Sequence, residues 1–320
     1  MKSPHKFLFL FLMIMSTCMV ISSSNWLTTW MGLEINMLGF IPLMYLKETS
    51  NESETAVKYL IPQSLGSTVF IASALISSHL MELQPLMSIA MCLKLGAAPF
   101  HYWFPPVMAG LPLLPAFILL TWQKIAPIFT ISSFGLVATN KILLIASISA
   151  LWGGIGGLNQ TDIRSLLTYS SIAHTGWMLA AINSIASTLM IYITAYILIN
   201  ASIYISLTST LTKTHKQLFS AKSPYNSLLL ATSILSLGGL PPLTGFIMKL
   251  LVISFTQAST LIISTLILGA LISLFFYLSM TFSPLLELSK LHTIKSESSK
   301  PLIMFSLAQI LPLSMTLLFF

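Results

Sequence analysis

Almost the whole chain is a succession of apolar stretches, each near the length that crosses a bilayer. A helical span needs about 20 such residues. Eleven candidates can be marked off: Phe7–Ile21, Trp26–Tyr45, Val57–Ser77, Leu86–Phe104, Leu114–Ser132, Ile142–Leu158, Ser165–Ile182, Ser187–Leu211, Leu228–Phe255, Leu261–Phe282 and Leu302–Phe319. In lipid each span must satisfy its own backbone, so helices are expected throughout. The predicted class is therefore all-α, a polytopic membrane helix bundle of about eleven spans, in a single transmembrane domain over residues 1–320. Composition agrees: 55% of the 320 residues are hydrophobic and 7% charged, against about 25% charged in a soluble domain.

The net charge of +7 does not read as nucleic-acid binding. The basic residues are scattered through short loops, without a patch of interleaved aromatics. Cys18 and Cys92 lie far apart in apolar runs and draw no disulfide or metal framework. Phe7–Ile21 is read as a span rather than a cleaved signal. Gly153 and Gly157 form a small-xxx-small pair that reads as helix packing.

Lysines and arginines in the loops orient such a chain. Eleven spans put the termini on opposite sides. On the N-terminal side fall Lys2, Lys6, Lys47, Lys58, Arg164, Lys213, Lys216, Lys222, Lys290, Lys295 and Lys300; on the other side falls Lys141. One span more or fewer would scramble this asymmetry. It predicts an N-terminus on the cytoplasmic or matrix side. The triplets Asn51-Glu52-Ser53 and Asn159-Gln160-Thr161 then lie on that basic side and read as chance matches to the glycosylation pattern.

The remaining basic residues, Lys94, Lys124 and Lys249, lie inside spans, as does one acid, Glu34. A charge at that depth costs roughly 3 kcal/mol or more and normally faces a protein interior or a water-filled cavity. Lys94 sits in MCLKLGAAPFHYWFPPV, where Gly96 and Pro99 break the helix and His101 follows. Lys249 sits in SLGGLPPLTGFIMKL, where Gly238, Gly239, Pro241 and Pro242 do the same. Irregular backbone at membrane depth is tolerated where it is buried or lines a cavity. The two interrupted spans are the fourth and the ninth. Their odd offset runs them in opposite directions, the pattern of an inverted-topology repeat. The predicted halves are about 7–132 and 142–284, with 302–319 outside the repeat.

No carboxylate pair, Ser/His/Asp arrangement or metal-ligand cluster accompanies these charges. What a buried lysine offers is proton exchange: desolvation favours the neutral amine, and a nearby carboxylate restores the ammonium. Several such groups, with histidine and water between them, form a proton relay. Glu34 is the natural partner of Lys94. Lys124, one turn before Pro127 in TWQKIAPI, is the expected centre, because proline opens the backbone one turn back. His174, among hydroxyls in YSSIAHTGW, reads equally as a relay group or as a hydrogen-bonded packing histidine.

Taken together and in order, TWMGLEINMLGFIPLM, KLGAAPFHYWFPPV, TWQKIAPI, GLNQTDIRSLLTYSSIAHTGWM and LGGLPPLTGFIMKL closely resemble the chain 2 family of mitochondrial NADH:ubiquinone oxidoreductase, complex I, in its shortened animal form. The resemblance covers nearly the whole chain. It implies an antiporter-like fold and a proton-pumping role in the membrane arm of a large complex. The family's relay glutamate matches Glu34. Its lysines match Lys94, Lys124 and Lys249, and its seventh-span histidine matches His174. It implies a mitochondrial inner-membrane location, with the N-terminus in the matrix and the C-terminus in the intermembrane space. It also implies that FMN, the iron–sulfur clusters and ubiquinone are bound by other subunits, leaving no cofactor here. The expected partners are other complex I subunits, with lipid contacts, and no nucleic acid. The sequence itself carries no dinucleotide fingerprint and no cysteine cluster. The charge pattern alone fits related cation/proton antiporter and membrane-bound hydrogenase subunits equally well. The rival from another class is a self-standing secondary transporter of cations and protons or of anions, with half-helix N-termini binding the ion.

Overall fold

The computed structural model describes residues 4–45, 50–77, 84–133, 139–210, 224–241, 243–256 and 258–288. Among them are twelve helices: α1 Pro4–Ser22, α2 Trp26–Met44, α3 Ser50–Ser77, α4 Gln84–Leu95, α5 Phe104–Gly110, α6 Leu113–Ser133, α7 Thr139–Gly157, α8 Ile163–Ile182, α9 Ala186–Thr210, α10 Pro224–Gly238, α11 Thr244–Phe255 and α12 Thr260–Leu288. The all-helical character expected of a membrane bundle is therefore observed. Among the described residues, four stretches are long and apolar enough to cross a bilayer: Ser50–Ile76, Leu113–Ser133, Ala186–Thr208 and Thr260–Phe282. The stretch 302–319 lies outside the described residues, as does Pro242.

The chain divides into two compact units between Ser149 and Ala150. In the first, α2 packs against α1 and α3, while α4 packs against α3 and α6. Phe40, Tyr59 and Trp103 build its aromatic centre, with Tyr59 edge-on to Phe40 at 5.2 Å and to Trp103 at 5.8 Å. Helix α6 runs unbroken through Pro127. In the second unit, α8 is buried continuously from Ser170 to Ala181. It packs against α9, α11 and α12.

Two helices end beside a glycine in left-handed backbone. Helix α4 ends at Leu95, and Gly96 follows with φ +69°. Helix α10 ends at Gly238, and Gly239 follows with φ +84°. Left-handed backbone right after the last helical residue is the usual place for glycine, which has no Cβ to clash. After the first break, Pro105 and Pro106 sit at the start of α5, where a missing N–H costs nothing. Pro99 and Pro241 lie in the turns.

The Gly153/Gly157 pair does serve packing, but toward two different helices. A Cβ on Gly153 would lie 2.4 Å from the Ala173 nitrogen on α8, and one on Gly157 would lie 2.7 Å from the Phe276 ring on α12. Residues four apart differ by about 40° around a helix, enough to face two neighbours in a tight cluster.

Candidate functional site

In the first unit, Lys94 and Lys124 line one cavity with Asn36, Tyr59, Gln63 and Gln123. Its volume is about 20 Å³, room for one water by the usual threshold of roughly 10–15 Å³. Both lysines are buried. Lys94 lies in the last turn of α4, where the negative end of the helix dipole favours a cation. Lys124 Nζ stands 5.8 Å from the centre of the Phe104 ring, a separation that suits a cation–π contact. Pro127 also borders the cavity, one turn beyond Lys124.

Neutral polar groups brace this cavity. Gln123 Nε2 donates to Asn36 Oδ1 at 3.2 Å, and Gln123 Oε1 accepts from the Tyr59 hydroxyl at 3.4 Å. These bonds tie α2, α3 and α6 together around the lysines. Gln63 Nε2 donates to the Lys94 carbonyl at 3.0 Å, and Trp103 Nε1 donates to the Leu93 carbonyl at 3.2 Å. The C-terminal end of α4 is thus closed by side chains from α3 and from the turn. Ala97 N–H and Gly96 N–H complete it, bonding back to the Cys92 and Leu93 carbonyls at 3.0 and 3.2 Å. That is the double bond of a Schellman cap.

Glu34 is half-buried on α2. Its charge acts on Lys94, but no direct ion pair joins the two. His101 is buried in the turn after α4, stacked on Tyr102 with ring centres 4.6 Å apart, and does not line the cavity.

The second unit holds Lys249 and His174 in different surroundings. Lys249 Nζ donates to the Leu237 carbonyl at 3.1 Å and to the Gly238 carbonyl at 3.0 Å. Its ammonium therefore closes the C-terminus of α10, where freed carbonyls and the helix dipole both attract a cation. His174, 2% exposed on α8, has Nδ1 2.7 Å from the Tyr192 hydroxyl and its ring 5.2 Å from that of Tyr196.

So the structure brings Lys94 and Lys124 together, with Glu34 near Lys94, and places Lys249 and His174 each in its own setting. The residues that sequence reasoning passed over are Asn36, Gln63, Gln123, Tyr59 and Tyr192. A signal was present, since Gln123 adjoins Lys124 and Asn36 adjoins the Glu34 turn. Neutral amides in apolar spans are simply less conspicuous than charges. Among the described residues, no group of three or more His, Cys, Asp or Glu side chains gathers to hold a metal.

An all-helical chain with several apolar helices long enough to cross a bilayer and with lysines buried inside it belongs to the class of membrane helix bundles. The family described as NADH:quinone oxidoreductase/Mrp antiporter, TM matches residues 23–82 and 73–275. The fold is that of a chain in respiratory complex I from Thermus thermophilus with bound aureothin. The TM-score is 0.83 at 22% identity, covering 98% of this chain and 78% of that one. The NADH-ubiquinone oxidoreductase chain 2 of Xenopus laevis is 39% identical over 92% of this chain and 91% of its own length. That of Nandinia binotata is 38% identical over 90% and 88%. The chain belongs to the NADH-ubiquinone oxidoreductase chain 2 family.

Proposed function

We propose that this chain is a membrane-arm subunit of respiratory NADH:ubiquinone oxidoreductase, carries protons across the mitochondrial inner membrane, and is driven by electron transfer in other subunits. Membership of the chain 2 family supports the place in the complex. The observation that carries the proton reading is the sharing of one water-sized, polar-lined cavity by the buried Lys94 and Lys124. Two lysines are not buried beside one small cavity for stability alone, because taking each charge out of water is costly. Neutralising one of them, or adding a water and the Glu34 charge, lowers that energy. A site in which one proton too many is costly and one too few is tolerable is built for exchange.

In this reading Glu34, Lys94 and Lys124 form the relay of the first unit, and Lys249 and His174 extend it in the second. The chain crosses the membrane eleven times as one domain. Its halves, about 7–132 and 142–284, form an inverted repeat around the two interrupted helices, with 302–319 as an added span. Support comes from the positive-φ glycine that ends both α4 and α10 and from the division of the chain into two compact units. The loop lysines support an N-terminus in the matrix and a C-terminus in the intermembrane space. FMN, iron–sulfur clusters and the quinone site belong to other chains of the complex, and this chain supplies no redox chemistry.

The test is Lys124→Met, which keeps the length and the apolar stem and removes the titrating group. Assembled complex is expected at near-normal levels, with protons moved per NADH oxidised in sealed membranes falling well below the parent value. Unchanged pumping would remove Lys124 from the mechanism.

A further inference from the structure

The hydrogen bond between His174 and Tyr192 has a use beyond packing. Both side chains are buried, at 2% and 0% exposure, on helices α8 and α9. A neutral imidazole carries one proton on two nitrogens, and the partner of one nitrogen decides the tautomer. At 2.7 Å the Tyr192 hydroxyl meets Nδ1. A phenol both donates and accepts. In the Nε2–H tautomer of the neutral ring, the phenol donates to Nδ1. When the ring takes up a second proton, that proton rests on Nδ1 and is donated to the phenol oxygen, while the phenol keeps its own proton and turns it away. One proton is added to the ring and none is lost from the tyrosine.

We propose that Tyr192 is a positioning residue for proton exchange at His174, holding the Nε2–H tautomer of the neutral ring and accepting from Nδ1–H when the ring is charged. This rests on the reading of His174 as a member of the relay. Tyrosine suits the position better than serine or threonine, because its ring also fills the gap between α8 and α9 beside Tyr196, whose own ring centre lies 5.2 Å from that of His174. A hydroxyl on a rigid ring cannot wander from Nδ1. The described titratable side chains on the helices packed against α8 are Tyr192, Tyr196 and Tyr204 on α9, Lys249 on α11 and Tyr277 on α12. Helix α7 brings Gly153 and Gly156. Tyr192 is hydrogen-bonded to His174 at Nδ1.

The experiment uses the assembled complex in sealed membranes and measures protons moved per NADH oxidised across a range of pH. Tyr192→Phe keeps the ring and removes the hydroxyl. The charged imidazole then loses its acceptor, so the half-maximal point of the pumping profile is expected to move toward acid by about one pH unit, with assembly retained. An unmoved profile with normal pumping overturns the proposal and leaves Tyr192 a packing residue. If the phenylalanine variant does not assemble, Tyr192→Gln decides, since its amide both donates and accepts. The proposal requires the parent profile there, and a shifted profile overturns it. His174→Gln separates the two levels. Unchanged pumping in that variant sinks the relay reading of His174 itself, whereas reduced pumping there with an unmoved Tyr192→Phe profile sinks the Tyr192 proposal alone.

Discussion

Helices α4 and α10 are both followed by a glycine of positive φ, and both leave carbonyl groups of their last turn open to donors from outside the helix. In α4 those carbonyls go to neutral donors: Gln63 takes the Lys94 carbonyl, and Trp103 and Gly96 share that of Leu93. In α10 they go to a charge, as Lys249 Nζ takes the carbonyls of Leu237 and Gly238. The same backbone problem is solved with different currency. Where amide and indole close the helix end, the lysine of that segment is left to line a cavity with a second lysine. Where the lysine closes the helix end itself, its proton is held by two fixed acceptors. Aligning Gly96 on Gly239 puts Lys94 opposite Leu237, so the lysines of the two breaks are not counterparts. One precedes its glycine and the other follows it.

The largest expected effect lies in exchanging each lysine for methionine. Lys249→Met leaves two buried carbonyls without their donor, at roughly 1–3 kcal/mol for each group. It is expected to lower the thermal stability and the amount of assembled complex. Lys94→Met removes a desolvated charge from a helix end that other side chains already close. It is expected to leave assembly intact, or slightly improved, while pumping falls. If Lys94→Met costs as much assembled complex as Lys249→Met, the contrast between the two ends is wrong.

An intermediate effect is expected at the glycines. Alanine in left-handed backbone costs about 1–2 kcal/mol, so Gly96→Ala and Gly239→Ala should each lower the melting temperature of the complex. A Cβ on Gly239 would also stand 3.2 Å from Lys249 Nζ, while one on Gly96 would meet the Trp103 ring at 3.3 Å. Coupling should follow those neighbours. Gly239→Ala is expected to cost less in a Lys249→Met background, and Gly96→Ala the same with or without Lys94→Met. Equal coupling at both glycines would count against a capping role peculiar to Lys249.

The smallest effect is expected for Gln63→Leu. One interhelical hydrogen bond between α3 and α4 is lost, worth about 0.6–2 kcal/mol in a membrane protein. The Lys94 carbonyl then needs another donor, and the nearest cation on that helix end is Lys94 itself. Thermal unfolding should change little, and pumping should fall more than stability does. A loss confined to stability would make Gln63 a packing residue and nothing more.

Much of this was legible in the residues. Gly96 and Gly239 announce helix ends because left-handed backbone has so few alternatives to glycine. The buried status of Lys94, Lys124 and Lys249 follows from apolar neighbours on both sides in sequence, a local property. Less legible was what each charge would touch. Gln63 and Lys94 are 31 positions apart, and Gln123 and Asn36 are 87 apart. No local pattern links such pairs, and a glutamine in an apolar run looks the same whether it caps a helix or lines a cavity.

Sequence alone determined the membrane class, the helices, the two places where they must stop and the few residues that carry charge, because each depends on hydrophobicity, proline, glycine and charge read over a short window. Only the tertiary structure decided that Lys94 and Lys124 share a cavity, that Lys249 spends its protons on the end of α10, and that His174 is held by Tyr192. Those outcomes depend on which helix faces meet, and an ammonium takes whatever acceptor packing brings within about 3 Å.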